Sequence, residues 1–238
     1  MAASLSLVAA AAFSAWTFAG SMRRPERPTP PSRAPVEVPK EPISLVDVAT
    51  LGSAATDIVL LEFADFECSY CARFAGDILP EIASRYVSTG LMRIGFRHLP
   101  LSAIHSRAQR AAETAECARR QGRFWDMHAR LFADMKSLRD DQLFAKARDL
   151  ELEMSLFTGC MGGPAAVSVA EDSKLAEALG VASTPVFFLG QIQPDGRLRV
   201  RSTILGARPL ADFVSAIEEV IRESRAENYQ SSKAPLSP

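Results

Sequence analysis

Histidine is scarce in the 238 residues. Only His98, His105 and His128 occur, and no two of them stand at the spacing of paired metal ligands. A zinc site built on a cysteine pair would need two further ligands, which the sequence does not offer at the usual intervals. Excess charge is missing too: 27 Lys and Arg against 28 Asp and Glu leave a formal net charge of -1. With no basic cluster in the part expected to fold, there is no electrostatic case for a nucleic-acid partner or an acidic substrate. Cysteine is limited to four residues. Cys117 and Cys160 are isolated, whereas Cys68 and Cys71 are two residues apart.

That pair sits in Glu62-Phe63-Ala64-Asp65-Phe66-Glu67-Cys68-Ser69-Tyr70-Cys71, an apolar run that breaks and then turns helical. A strand ending at Phe66 and a helix beginning near Ser69 put Cys68 at a helix N-terminus, where unpaired N–H groups and the macrodipole favour an anion. A stabilised Cys68 thiolate is the attacking thiol of disulfide exchange and a good leaving group, and Cys71, one turn on, is the resolving thiol. The same spacing is half of many zinc sites, but no second half is in view. Glu62 is out of place in an apolar run. It is either a strand-end carboxylate in solvent or a semi-buried acid that handles a proton for Cys71.

With 47% hydrophobic residues the chain can bury one substantial core. After Met1, residues 1–22 carry no charge and are long enough for a secretory signal or one membrane-spanning helix. Thr17-Phe18-Ala19 serves as a small-residue cleavage site, yet the cationic leader is missing and Arg23 and Arg24 lie on the opposite flank. Cleaved signal and N-terminal membrane anchor therefore both stand. A strict positive-inside reading would keep the domain in the cytoplasm, but the rule weakens before a long domain, so export is expected. Residues 23–42 hold seven of the fifteen prolines and read as an extended linker. The folded domain is expected over 43–225, with a disordered tail over 226–238.

Within that domain, Ile58 to Phe63 reads as a strand buried on both faces. Phe74, Ile78, Leu79 and Ile82 continue the cysteine helix to about Val87, with a kink at Pro80. Met92, Ile94 and Phe96 alternate as a second strand. Ala108, Ala111, Ala112 and Ala115 open a helical block over about 101–180 that closes at Gly180. His105 and His128 fall in this region and read as packing or capping histidines. Val181 to Leu189 is a third strand with a proline at its entrance, Pro194-Asp195-Gly196 turns into a fourth, and Pro209 opens a last helix. The order is that of an α/β thioredoxin fold with an inserted helical subdomain.

Here the chain resembles the DsbA-like family of thiol-disulfide oxidoreductases, over roughly Ile58 to Ile221. Glu62 stands where that family keeps its buried acid. FADFECSYC is similar to its active-site signature, FRHLPL and QGRFWDMHARLF to segments leading into and within the inserted helices, and STPVFFLG to the loop with a cis-proline beside the active site. The resemblance implies that Thr184 and Pro185 face the cysteines. The active-site dipeptide departs from the family's proline followed by histidine or tyrosine, being Ser69-Tyr70, and this dipeptide helps set redox poise.

The resemblance implies an enzyme that oxidises cysteine pairs in unfolded or reduced exported proteins, in an extracytoplasmic setting, periplasmic or at the cell surface. A quinone-linked membrane re-oxidase would restore its disulfide, and no metal or organic cofactor is implied. A reductase or isomerase on the same fold is the alternative. A non-catalytic binding module is a third, disfavoured because a two-residue gap closes too small a loop to matter for stability. Some relatives carry an extra disulfide in the inserted helices, and Cys117 with Cys160 would supply it here. Counting at 100° per residue puts Cys117 on the polar face of its helix, where a free thiol is a liability in an oxidising compartment. The alternative is two unrelated buried cysteines.

Overall fold

A computed structural model describes residues 36–233. The apolar N-terminal stretch, the linker up to residue 35 and residues 234–238 lie outside the described residues, and so do the signal, anchor and disorder expectations placed on them. Among the described residues no helix is long and apolar enough to cross a membrane.

Five strands form one mixed sheet: β1 Ala49–Leu51, β2 Ile58–Ala64, β3 Arg93–His98, β4 Val186–Ile192 and β5 Leu198–Leu205, in the order β1-β3-β2-β4-β5. β2 runs parallel to β3 and antiparallel to β4, while β1 and β5 close the edges antiparallel. All seven residues of β2 are buried, because both faces of the sheet are covered. Ile58 and Leu60 point into a cluster with Phe74, Ile82, Phe213 and Ile217. Val59, Leu61 and Phe63 join Val181, Val186, Phe188 and Leu198 on the other side. The two-residue period of a strand therefore assigns Glu62 to the face of Ile58 and Leu60, the face that carries Phe74 of the cysteine helix. Gly190 sits at the β4–β5 register shift, where a Cβ would lie 2.0 Å from the Arg199 carbonyl oxygen; no larger residue fits there.

The cysteine helix winds without a break from Ser69 to Val87. α1 (Ser69–Arg73) passes into a π-helical turn (Phe74–Ile78), then α2 (Leu79–Ile82), then a second π-helical turn (Ala83–Val87). Pro80 lacks an N–H and crowds the preceding turn. The widened turn lies immediately before it, with the Leu79 N–H reaching back five residues to Phe74 O. The inserted block comprises α3 (Ala108–Arg119), α4 (Phe124–Ala133), α5 (Asp140–Asp149), α6 (Met154–Cys160) and α7 (Pro164–Ala178), and α8 (Leu210–Lys233) covers the sheet.

Two boundaries differ from expectation. The folded part begins before Ile43, because Val36 from the proline-rich linker packs on the cluster around Ile43 and Leu198. The tail after 225 is not unstructured as far as Lys233, since α8 continues to that residue. Arg201 of β5 pairs with Glu227 at 2.5 Å, a link between sheet and helix that lies outside any local helix signal.

Cys117 also departs from its expected polar face: it is fully buried. Ala111 through Ala118 of α3 are all buried, because this helix lies at the centre of the inserted block. Its acidic side is neutralised by ion pairs, Arg110 with Glu113 at 2.6 Å and Arg119 and Arg120 with Glu116 at 2.6 and 3.1 Å. Cys117 and Cys160 are joined in a disulfide with a Cα–Cα distance of 5.8 Å.

Candidate active site

The site forms where β2 ends. Asp65 to Glu67 make a tight turn closed by Cys68 N–H to Asp65 O at 3.1 Å, and Cys68 is the N-cap of α1, with extended backbone. The first helical turn thus starts at the sulfur, its free N–H groups converging there. Cys68 is only 6% exposed and Cys71 is fully buried, and neither is disulfide-bonded. Cys68 is less open than an unhindered helix end would suggest. Its neighbours Ser69 and Tyr70 are exposed.

The Cys68 thiol is pulled down to about 5. A hydrogen bond from Cys71 is the largest cause. Burial opposes it, and the Thr184 side chain and the N–H groups of Cys71 and Tyr70 add to the lowering. The Thr184 hydroxyl is buried with no other partner and so is available to the thiolate. The Thr184–Pro185 peptide bond is cis, and the Cys68 thiol donates to Thr184 O at 3.4 Å. The same loop is tied down by Gly206 N–H to Pro185 O at 2.9 Å. Arg73 reaches the segment after β5, donating to Ala207 O, while its guanidinium lies 5.4 Å from the centroid of the Tyr70 ring.

Cys71 moves the other way. Burial raises its pKa first, then the hydrogen bond it gives Cys68 and the charges of Glu62 and Cys68. Glu62 is 1% exposed, and neither carboxylate oxygen has a hydrogen-bond partner. Burial, reinforced by the Cys68 charge, holds its pKa well above the usual carboxylate range. Of the two readings offered for Glu62, the solvent-facing one is excluded. The site therefore couples a thiol that ionises readily to one that holds its proton, beside a carboxyl whose pKa burial raises.

The structure brings together Glu62, Cys68, Ser69, Tyr70, Cys71, Thr184 and Pro185, and places Cys117 and Cys160 apart in the helical block. It adds Asp65, to which the sequence assigned no role, and His105, expected to be a packing or capping histidine. The Asp65 carboxylate has no solvent exposure and accepts from Glu67 N–H and Leu101 N–H, each at 2.7 Å. It also lies 2.8 Å from His105 Nδ1. His105 is thus a site residue rather than a capping one. No local signal marks it, because its partner is 40 residues away. His128 is a packing residue, its ring among Phe66, Phe96 and Phe132; burial and then His98 lower it to about 3, so it is neutral.

A C-x-x-C at the N-terminus of the helix following the central strand, faced by a cis-proline loop across the same sheet, defines a thioredoxin-fold protein whose dithiol is arranged for disulfide exchange. A thioredoxin family model matches residues 45–202, and the chain belongs to that family. Among solved structures, it is similar to alpha-DsbA1 of Wolbachia pipientis, at 23% identity and a TM-score of 0.67, over 78% of this chain and 96% of that one. BdbD of Bacillus subtilis in its oxidised form matches at 20% identity and a TM-score of 0.62, over 76% and 96%. A curated relative, Na(+)/H(+) antiporter NhaA 3 of Salinispora tropica, is 34% identical over 166 residues, 69% of this chain. The chain spans about a quarter of that relative's length, 24%.

Proposed function

We propose that this chain introduces disulfide bonds into exported proteins through the Cys68–Cys71 pair. The observation that carries the reading is Cys68 at the N-cap of α1, 3.4 Å from Thr184 O of the cis-proline loop, with Cys71 buried one turn behind it. A low-pKa Cys68 leaves readily and favours the reduced enzyme, which makes the disulfide form an oxidant.

The reaction starts from the Cys68–Cys71 disulfide. A substrate thiolate attacks Cys68 Sγ, forming a mixed disulfide, and the electron pair of the broken S–S bond goes to Cys71 Sγ. Cys71 then takes a proton, for which the buried Glu62 carboxyl, electrostatically coupled to Cys71, is the proposed donor. A second substrate thiolate attacks the substrate sulfur of the mixed disulfide and expels the Cys68 thiolate, leaving substrate oxidised and enzyme reduced. Thr184, beside Cys68, offers backbone to an extended substrate segment. A membrane re-oxidase, quinone-linked, would accept the two electrons and restore the disulfide.

Export and an extracytoplasmic location belong to the same proposal. Their support is the Cys117–Cys160 disulfide, a bond that persists in oxidising compartments. The antiport activity named for the longer relative is no part of it. The deciding experiment equilibrates the purified protein with glutathione and follows refolding of a reduced, disulfide-containing substrate. A strongly oxidising Cys68–Cys71 pair that accelerates refolding supports the oxidase. A pair as reducing as an ordinary structural disulfide, with insulin reduction instead, would assign the chain to the reductases.

A further inference from the structure

The Ser69-Tyr70 dipeptide carries no charge, yet the turn that presents Cys68 is crowded with carboxylates. Asp65 and Glu67 precede the cysteine, and Cys68 itself becomes an anion. The positive groups that face this turn come from other elements. Arg73 on α1 is committed to Ala207 O and the Tyr70 ring. The loop between β3 and α3 is joined to the turn at three points: Leu101 N–H to Asp65 Oδ2 at 2.7 Å, His105 Nδ1 to the same oxygen at 2.8 Å, and Arg107 N–H to Glu67 Oε2 at 2.5 Å. This loop is thereby fixed to the two residues that lead into the cysteine.

We propose that His105 is the cation of the Cys68 site: Asp65 holds it charged at the mouth of the turn, and its charge offsets the Asp65 and Glu67 carboxylates that would otherwise oppose the Cys68 thiolate. The inference rests on the reading of Cys68 as the attacking thiol. Asp65 cannot turn away to solvent, since its side chain has no exposure and its oxygens already accept two backbone N–H groups. The imidazole donates from Nδ1 to Asp65, so the second proton resides on Nε2 of a ring that retains partial exposure. Burial lowers the basicity of this ring, but the Asp65 hydrogen bond and the charges of Asp65, Cys68 and Glu67 outweigh it and raise the pKa. His105 does not bond the sulfur. It is a positioning and tuning residue whose effect is electrostatic, moderated by its contact with water.

Linkage makes the inference testable without a variant. If the thiolate favours the charged ring, His105 must bind its proton more tightly in the reduced protein than in the disulfide form. His98 and His128 are buried with lowered pKa values, so the His105 ring resonances separate from theirs in an NMR titration. The expected result is a higher His105 pKa in the reduced state; equal values in the two redox states overturn the proposal. As a second arm, the Cys68 thiolate is titrated by its ultraviolet absorbance in the wild type, His105→Gln and His105→Lys. His105→Gln should reduce the thiolate fraction near the midpoint by about three- to tenfold and weaken oxidation of glutathione by a similar factor, and His105→Lys should restore both. Unchanged titration in His105→Gln, or failure of lysine to restore it, rejects the role of His105 while leaving the oxidase reading intact. A wild-type Cys68 that titrates like a free thiol rejects both.

Discussion

All four cysteines border one apolar cluster, yet the two pairs differ in nearly everything else. Cys68 and Cys71 are one helical turn apart, at the helix N-terminus that follows the central strand, among groups that titrate. Cys117 and Cys160 are 43 residues apart in sequence and meet between α3 and the end of α6. Burial therefore does not separate a reactive cysteine from a structural one, since Cys68 at 6% and Cys160 at 8% exposure are alike. What separates them is which donors surround the sulfur. N–H groups of a first helical turn, a hydroxyl and a neighbouring thiol can stabilise a thiolate at Cys68. The second pair closes a long loop, and its value lies in restraining the unfolded chain.

The sharpest way to break this contrast is to exchange the fates of the pairs. Cys68→Ser should abolish disulfide exchange, a loss of roughly 10³-fold or more of the kind that follows removal of an attacking nucleophile. Cys71→Ser should accumulate mixed disulfides with substrate, visible on non-reducing gels. The double variant Cys117→Ala, Cys160→Ala should keep its turnover at 25 °C. If it instead loses exchange as completely as Cys68→Ser, the separation of roles is wrong.

Stability should show the opposite order. Removing the Cys117–Cys160 bond should cost about 2–4 kcal/mol in chemical denaturation, because its loop is long. The reduced Cys68 and Cys71 thiols, tested by Cys68→Ser, should cost far less. An equal loss from both would mean that the active-site turn, too, is held chiefly by its sulfurs.

Glu62→Gln sharpens the comparison inside the first pair. Exchange should slow about tenfold, at the low end of what a positioned proton carrier contributes, and single-turnover kinetics should place the defect at the step that involves Cys71. Stability of the reduced protein should move the other way. A carboxyl whose folded pKa is raised contributes its full stability below the unfolded value near 4.5 and loses it as pH rises through the folded value. The glutamine variant should therefore be more stable than wild type at neutral pH, by on the order of 1 kcal/mol, and the advantage should vanish below about pH 4.

The mildest test is a pH profile. Because the Cys68 pKa is lowered to about 5, its alkylation rate should climb about tenfold per pH unit below that value and level off above it. Thiols of the unfolded chain keep accelerating to pH 8 and beyond. A profile for Cys68 that matches theirs would erase the electrostatic difference between the two pairs.

Much of the site was legible locally. The apolar run of β2, the break before Cys68 and the period of the helix that follows are short-range patterns, and they placed the thiol at an N-cap. The succession along the chain of β2, β3, β4 and β5 followed from alternation and turn residues in the same way. The face of Cys117 was misjudged for a reason of the same scale. Angular position on a helix reports how polar its side chains are, and α3 buries its acidic side by pairing it with arginines and covering it with other helices.

The sequence by itself determined four of the five strands, the helices around them, their order along the chain and the C-x-x-C chemistry, because strand alternation, helix capping and proline stereochemistry act over a few residues; the three-residue edge strand β1 was too short to show a pattern. It also marked Glu62 as anomalous, without saying whether the acid met water. Only the tertiary structure decided that. Covering both faces of β2 removed Glu62 from solvent, and folding brought Thr184 to Cys68 across 116 residues and His105 to Asp65 across 40. Dielectric environment and hydrogen-bond partners are properties of the packed assembly, and they set the ionisation of each group in this site.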